Sequence, residues 1–335
     1  MDRTQELRTG MFSQWLLDAL VVTPTDGTLN RARFRVLSVL RQFRLQISDP
    51  LVCFRLGKLS LALPLSHQLP LYRRAIPQYS SNLGRVAVLA KQKYPGLTMI
   101  DVGANIGDSV AMVRACASFP ILCVEGEAQF FKLLKANTSG LPNIELENAF
   151  LGAAGDRVKA VHVARGTAWI ELGPASDGIP THTLAEAISR HPSFNAVKFL
   201  KLDAEGFDCR IISCESQFLV QNRPVLFFEY HPPLASAAGY DPFPVFGRLR
   251  ELGYSVVMIY ENTGRYLLTL ELDRSSALED LHHYFAEQGG FCDIAAFHAE
   301  DSDIAKDLRN LELGASAGRE PALGSEYRAE TAHAV

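Results

Sequence analysis

Residues 99–108 read MIDVGANIGD, the pattern of a buried strand that runs into a glycine turn and then a helix. Gly103 and Gly107 permit a tight turn and the close approach of a ligand to the backbone. The helix that follows presents free N–H groups and the positive end of its dipole to this turn. Asp101 lies near the carboxyl end of the strand, the edge at which open α/β sheets bind ligands. We therefore expect the ligand site of the chain at this edge.

The turn fits two classes of cofactor. In a dinucleotide-binding turn, G-x-G-x-x-G, the second glycine lets the pyrophosphate touch the backbone, but Asn105 stands at that position here. An acidic residue followed by the spacing of Gly103 and Gly107 is typical of class I methyltransferases that bind S-adenosylmethionine (SAM). SAM offers a positive sulfonium and an amino acid group, which suit a carboxylate and backbone groups. A glycine turn without any ligand is the third interpretation.

A second carboxylate ends the next predicted strand. Glu125 follows the apolar run 121–124 and lies 22 positions after Gly103. This spacing places an acidic side chain where ribose hydroxyls bind, in SAM and NAD sites alike. The alternative is a carboxylate that stabilises the N-terminus of the following helix.

Two further strands bring acid–base groups to the same edge. Residues 197–206 form a buried strand that ends in Asp203 and Glu205, and the next strand ends in Glu229 and His231. Carboxylates at such a position can transfer protons, hold a sugar or bind a divalent cation. Because histidine titrates near neutral pH, His231 is a candidate proton acceptor. The sequence predicts no definite metal site; Asp203, Glu205 and Glu229 are the candidate ligands if a cation binds.

The overall composition is that of a globular protein. A net charge of −4 gives no electrostatic reason to expect nucleic acid or an anionic membrane as a partner. The six cysteines form no C-x-x-C pair, which favours a reducing compartment. The N-terminus has no signal-peptide pattern, and no apolar run approaches the ~20 residues of a transmembrane helix. We therefore expect a cytoplasmic protein.

The chain divides into three parts. Residues 1–95 predict helices and a strand pair, an extension that we expect to cap the acceptor side of the site. Residues 96–300 alternate strands and helices, which predicts an α/β domain with a mostly parallel sheet and helices on both faces. The Gly, Ala, Ser and Glu content of residues 313–335 predicts a disordered tail.

Four segments together resemble the FkbM family of SAM-dependent methyltransferases. They read MIDVGANIGD (99–108), ENAFLGAAG (147–155), KFLKLDAEG (198–206) and PVLFFEYH (224–231). The resemblance covers roughly residues 97–298. It implies an α/β fold, a Rossmann-like class I methyltransferase sheet of seven strands, with the N-terminal helical and strand extension added to it.

The resemblance also implies the roles of individual residues. The methionine end of SAM would be held by Asp101, Gly103, Ala104, Asn105 and Gly107. Glu125 would bind the ribose, Asn148 and Ala149 would lie near the adenine, and Asp203 and Glu205 would line the transfer site.

This chain departs from the family pattern at two places. Val124-Glu125-Gly126 replaces the common Phe-Glu-Pro and keeps the ribose carboxylate. Glu205-Gly206-Phe207-Asp208 replaces Glu-Gly-Ala-Glu, so no role is assigned to Asp208.

The implied function is SAM-dependent O-methylation of a sugar hydroxyl in a glycan or natural product, with a carboxylate or His231 as the proton acceptor. The partner is then a small-molecule or glycan acceptor. Two alternatives stay open: a non-catalytic SAM- or glycan-binding partner in polysaccharide assembly, and an NAD-dependent oxidoreductase.

Overall fold

A computed structural model of the protein describes residues 10–173 and 178–316, and in these residues a large sheet lies between two layers of helices. The strands are β1 (Leu51–Leu56), β2 (Leu59–Pro64), β3 (Met99–Val102), β4 (Ile121–Val124), β5 (Ile144–Glu147), β6 (Arg157–Ala164), β7 (Thr167–Gly173), β8 (Ile179–Pro180), β9 (Phe199–Leu202), β10 (Val225–Tyr230), β11 (Tyr254–Glu261), β12 (Tyr266–Glu271) and β13 (Cys292–His298). The helices are α1 (Met11–Val22), α2 (Thr28–Ile47), α3 (Leu69–Ala75), α4 (Ser81–Lys93), α5 (Asp108–Cys116), α6 (Ala128–Thr138), α7 (Leu184–Ser189), α8 (Asp208–Cys214), α9 (Ser216–Asn222), α10 (Pro232–Ala237), α11 (Pro244–Glu251), α12 (Ser275–Gln288) and α13 (Ser302–Ser316).

The main sheet has eight strands within the described residues, in the order β12-β11-β13-β10-β9-β3-β4-β5. The five strands from β10 to β5 are parallel to one another, and the remaining pairings are antiparallel. The predicted α/β class with a mostly parallel sheet is thus confirmed. The implied count of seven strands was one too low, because the hairpin from β11 adds β12 at the edge.

The central strands are buried along their whole length. All four residues of β3 and all four of β9 are buried, as a parallel sheet covered on both faces requires. Alternate residues point to opposite layers: Met99 and Phe199 pack in one apolar cluster, and Ile100 and Leu200 in the other. Side chains at the carboxyl ends of these strands are therefore held on a rigid base.

The strand order reverses between β3 and β9. The chain runs from β3 outward to β4 and β5 on one side, and from β9 to β10 on the other. In open α/β sheets the crevice beyond the carboxyl ends of two such strands is where ligands bind. The two sequence motifs end at this crevice.

The N-terminal extension packs on the helices that follow β3 and β4. The apolar contacts join Val52, Leu56, Leu61 and Leu63 of the β1–β2 pair to Ile106, Ala111 and Phe130. Asn137 of α6 bonds both the backbone N–H and the carbonyl of Ala62, at 2.8 and 3.0 Å. The extension is therefore fixed to the same helices that border the crevice.

At the C-terminus, α13 continues to Ser316, four residues into the predicted tail of residues 313–335. The rest of that tail, residues 317–335, lies outside the described residues. Among the residues that the structure describes, no helix has both the length and the apolar character needed to cross a membrane.

Gly103 is the position where the backbones of the two motifs come closest. Its φ is +69°, and a Cβ there would lie 1.9 Å from the backbone oxygen of Asp203. We expect Gly103→Ala to lower the free energy of unfolding by about 4 kcal/mol or more, because backbone must move to admit the methyl group. Gly155→Ala is the matched control, since Gly155 has φ +87° but open space around it. Urea unfolding of both variants measures the difference; equal losses of about 1–2 kcal/mol would mean that only the left-handed backbone matters.

Candidate active site

A cavity of about 480 Å³ opens at the reversal of strand order. Its walls come from the ends of β3, β4, β9, β10 and β13, from the β6–β7 hairpin and from the N-terminal extension. The predicted site residues that line it are Gly103, Asn105, Glu125, Ala149, Asp203, Glu205, Glu229 and His231. The structure thus brings together groups from separate stretches of the chain.

The other predicted residues do not line this cavity. Asp101, Ala104 and Gly107 are buried, and the exposed Asn148 donates a hydrogen bond from Nδ2 to the carbonyl oxygen of Glu125, at 2.8 Å. These four residues support the groups that line the cavity. Asn105 lines it with φ +48° and donates from Nδ2 to the carbonyl of Gly166 at the hairpin turn.

Lys201 connects the two motifs beneath the cavity. Asp101 and Lys201 are partners in register on β3 and β9, so their side chains leave the sheet on the same face. Lys201 Nζ lies 3.1 Å from an Asp101 oxygen and 3.3 Å from an Asp203 oxygen, and donates to the Gly103 carbonyl at 3.1 Å. Ser109 donates to the other oxygen of Asp101. Burial alone would lower the pKa of Lys201, but the charges of Asp101 and Asp203 raise it well above its ordinary value, so the ammonium stays charged.

Glu125 is held by two backbone N–H groups. Its Oε2 accepts from Asn105 at 2.8 Å and its Oε1 accepts from Glu127 at 2.7 Å. Burial raises the pKa of Glu125 to about 7, against the opposing effect of these two hydrogen bonds. Each carboxylate oxygen keeps a second lone pair, so the group can still accept from a ligand diol.

An apolar slot lies beside Glu125. Ala149, Phe150 and Leu151 line it, and the Phe150 ring packs directly on Gly126. A Cβ at Gly126 would lie 2.2 Å from that ring, which explains why this chain has glycine where the family commonly has proline. The slot can hold a flat, apolar ring next to the Glu125 carboxylate, which can accept hydrogen bonds from a diol.

The opposite end of the cavity is acidic. Glu229 of β10 and Asp293 of β13 are partners in register, and Glu229 Oε2 is buried with no hydrogen-bond partner among the described residues. Burial raises the pKa of Glu205 to about 8, of Asp293 to about 7 and of Asp108 to about 6, and raises that of Glu229 well above its ordinary value. Nearby carboxylates add to each shift, so this end favours a ligand that brings positive charge or hydrogen-bond donors.

Sequence reasoning missed Asp108, Asp293 and Lys201 as site residues. The available signal for Lys201 and Asp293 was a charged residue within an otherwise apolar strand, at CDIAAFH for Asp293. Asp208, to which no role was assigned, is buried and accepts a hydrogen bond from the backbone N–H of Ala204, at 3.1 Å. It thereby holds the loop that carries Glu205.

His231 has the geometry of a donor. Its Nδ1 accepts from the backbone N–H of Leu234 at 3.3 Å, and its ring stacks on Phe291 with 4.8 Å between centroids. Burial lowers the pKa of His231, which favours the neutral ring. With Nδ1 as acceptor, the proton of the neutral ring is assigned to Nε2, so this tautomer can orient a ligand oxygen but not remove its proton.

No group of three or more His, Cys, Asp and Glu side chains within residues 10–173 and 178–316 is arranged to hold a metal ion. Asp203, Glu205 and Glu229, the candidate ligands for a cation, all line the cavity but do not form such a group.

Lys201→Met tests the central ion pair. We expect a loss of about 3–5 kcal/mol in the free energy of unfolding, because Asp101 keeps a buried charge without compensation. The double variant Lys201→Met/Asp101→Asn should recover part of this loss. Chemical denaturation of the three proteins gives the values; an equal loss in the single and double variants would mean that the Asp101 charge is not the cause.

Comparison with known proteins gives one family match. Residues 101–256 match the family model of the methyltransferase FkbM domain. No curated protein sequence is significantly similar to the chain.

Several solved structures are distantly similar. A methyltransferase FkbM from Methylobacillus flagellatus KT is 12% identical with a TM-score of 0.36, and the match covers 84% of this chain and 58% of that one. An O-methyltransferase from Bacillus cereus in complex with SAH is 13% identical with a TM-score of 0.36, covering 68% and 87%. A precorrin-6y C5,15-methyltransferase from Geobacter metallireducens GS-15 is 13% identical with a TM-score of 0.33, covering 64% and 87%. At these values no residue role is carried over from them. The family resemblance rests on the sequence match: residues 101–256 match the methyltransferase FkbM domain, which confirms the resemblance read from the motifs.

Proposed function

We propose that the protein is a SAM-dependent O-methyltransferase that acts on a sugar hydroxyl in a glycan or natural product. The observation that carries the proposal is one cavity with a carboxylate that can accept from a diol and an apolar slot at one end and a carboxylate cluster at the other. The methyltransferase FkbM domain match, which includes Glu125, Glu205 and Glu229, supports it.

The residues fit SAM in shape and in charge. Glu125 would accept from the two ribose hydroxyls, and the adenine would lie in the slot beside Phe150. The motif turn at Gly103 and Asn105 would face the methionine end, and the buried Oε2 of Glu229 would offer it a hydrogen-bond acceptor. When bound, SAM supplies an electrophilic methyl group on a positive sulfonium.

Glu205 is the proposed proton acceptor. Glu205 would take the proton of the acceptor hydroxyl. SAM, when bound, would supply the methyl group, whose carbon–sulfur bond breaks, with the electron pair going to sulfur, as the carbon–oxygen bond forms. Because the pKa of Glu205 is raised to about 8, the carboxylate is basic enough to take this proton near neutral pH. His231, through Nε2–H, orients the acceptor oxygen. The protein otherwise contributes mainly by positioning the two reactants.

The N-terminal extension completes the cavity on the acceptor side in this proposal. His67, Tyr72 and Tyr79 contribute to its lining from outside the domain match. Residues 1–95 are therefore proposed to cap the site and to select the acceptor. The cytoplasmic location stays a prediction.

Cofactor identity is tested by calorimetric titration with SAM and, separately, with NAD. We expect SAM to bind and NAD not to bind, and Glu125→Gln to weaken SAM binding about tenfold or more, because a charge-assisted hydrogen bond to the ribose is lost. Glu127→Gln is the matched control, since Glu127 lies two residues further on and does not line the cavity. Binding of NAD without SAM would contradict the methyltransferase proposal and support an oxidoreductase.

The role of Glu205 is tested by its rate dependence on pH. A general base acts in its ionised form, so the rate should rise with pH up to about 8 and level off above it. Glu205→Gln should lower kcat about a hundredfold or more while the affinity for SAM changes little. Labelled methyl transfer from SAM to a panel of sugars measures the rates. A variant that keeps the wild-type rate and pH profile would exclude Glu205 as the base.

A further inference from the structure

The helix α2 carries an apolar face that no described residue covers. Six of its large apolar side chains are exposed, among them Leu29 at 87% and Ile47 at 81%. The full set is Leu29, Val36, Val39, Leu40, Phe43 and Ile47. At 3.6 residues per turn they fall within a stripe about 100° wide. We call these six residues the α2 face.

The α2 face lies opposite the side on which the helix is fixed to the fold. Leu37 packs in a buried cluster with α1, and the buried Arg41 donates to the carbonyl oxygens of Leu65 and Ser66, at 2.9 and 2.7 Å. The helix is therefore anchored to the fold by one side, and its other side is exposed. No residue of the α2 face lines the cavity.

Positive charge borders this face on both edges. In the helical projection Arg33 adjoins one edge, Arg35 adjoins the other, and Arg31 lies beyond Arg35; all three are exposed. The helix contains five arginines and no acidic residue. The net charge of −4 for the whole chain, which gave no reason to expect an anionic membrane, conceals this local concentration.

Exposed aromatic side chains also lie on α1, the helix that packs beside α2. The rings of Phe12 and Trp15 stack at 5.8 Å, and both residues are about half exposed. Arg44 donates to Ser13 Oγ at 3.2 Å, which places the end of α2 that carries Phe43 beside the start of α1. Aromatic and basic residues around an apolar stripe are typical of helices that lie in the plane of a membrane surface.

We propose that the α2 face docks the protein on an anionic lipid membrane, with α2 in the interface plane. A second copy of the chain fits less well, because two such faces would bring arginines together with no carboxylate on either helix to pair them. A protein groove that encloses a helix also fits less well, because the opposite side of α2 is buried in this fold. A planar surface with negative headgroups matches both the exposed apolar stripe and the arginines at its edges.

The test is binding of the full chain to vesicles of phosphatidylcholine, with and without phosphatidylglycerol, in a flotation assay. We expect binding only to the anionic vesicles, and weaker binding as salt increases. Phe43→Glu should reduce the apparent affinity about tenfold or more, because an apolar contact is replaced by a charge that the headgroups repel. Tyr284→Glu is the matched control, since Tyr284 is 61% exposed on α12. Arg33→Gln/Arg35→Gln should weaken binding several-fold, against Arg274→Gln as control.

Fluorescence gives an independent measure. The chain has two tryptophans, so Trp169→Phe leaves Trp15 as the reporter, and its emission should shift to the blue with anionic vesicles. Absence of binding, equal binding to both vesicle types, or wild-type binding by Phe43→Glu would each overturn the proposal. A dimer detected by light scattering and disrupted by Phe43→Glu would also overturn it, in favour of a second copy.

Discussion

The buried Lys201 ammonium, between the carboxylates of Asp101 and Asp203, is the interaction on which the site depends. An uncompensated charge at this depth would be strongly unfavourable, so the buried Lys201 and Asp101 require each other, and the half-exposed Asp203 adds to the pairing. The ion pair holds together the ends of β3 and β9, the two strands between which the strand order reverses. Since Lys201 also donates to the carbonyl of Gly103, it fixes the glycine turn against the strand that leads to the Glu205 loop. Asp101 thus acts on the proposed cofactor site through the turn, and not by contact with the cavity.

The glycine turn is also supported by the β6–β7 hairpin, which in turn contacts the N-terminal extension. Asn105 donates to the Gly166 carbonyl at the tip of the β6–β7 hairpin, and Gln68 of the extension donates its backbone N–H to the Arg165 carbonyl at 3.1 Å. A Cβ on Gly166 would lie 2.6 Å from the His67 ring, so this tip is also packed on the extension. Motif, hairpin and extension therefore form one continuous set of contacts around the cavity. An extension outside the family domain contributes directly to the shape of the proposed acceptor site.

The sequence predicted those parts of the molecule that depend on local pattern. Apolar runs that end in glycine or a carboxylate identified β3 and β9. They also predicted that the carboxyl ends of these strands meet at the same edge of the sheet. The edge strand β12 lies outside the seven strands that the resemblance implies, although the turn residues Asn262-Thr263-Gly264-Arg265 predict a hairpin from β11 into it. Lys201 and Asp293 were missed because the register between strands, and not the sequence, decides which charged side chains meet. The role of His231 also depends on tertiary structure, since the backbone N–H of Leu234 occupies the ring nitrogen that a base needs.

The acidic end of the cavity links stability, pH and ligand choice. The pKa values of Glu205, Asp293 and Asp108 lie above the values near 4 of the unfolded chain, so folding favours their protonated forms. Their contribution to stability is present below about pH 4 and is lost as pH rises through the folded values of about 6 to 8. Ionisation of these groups in the folded protein therefore costs stability, and a positive ligand offsets part of that cost. Under the proposed function the sulfonium of SAM carries that charge, and the thioether that remains after methyl transfer does not. Under that proposal the same carboxylates would hold SAM more strongly than the product, which would favour product release after the chemical step.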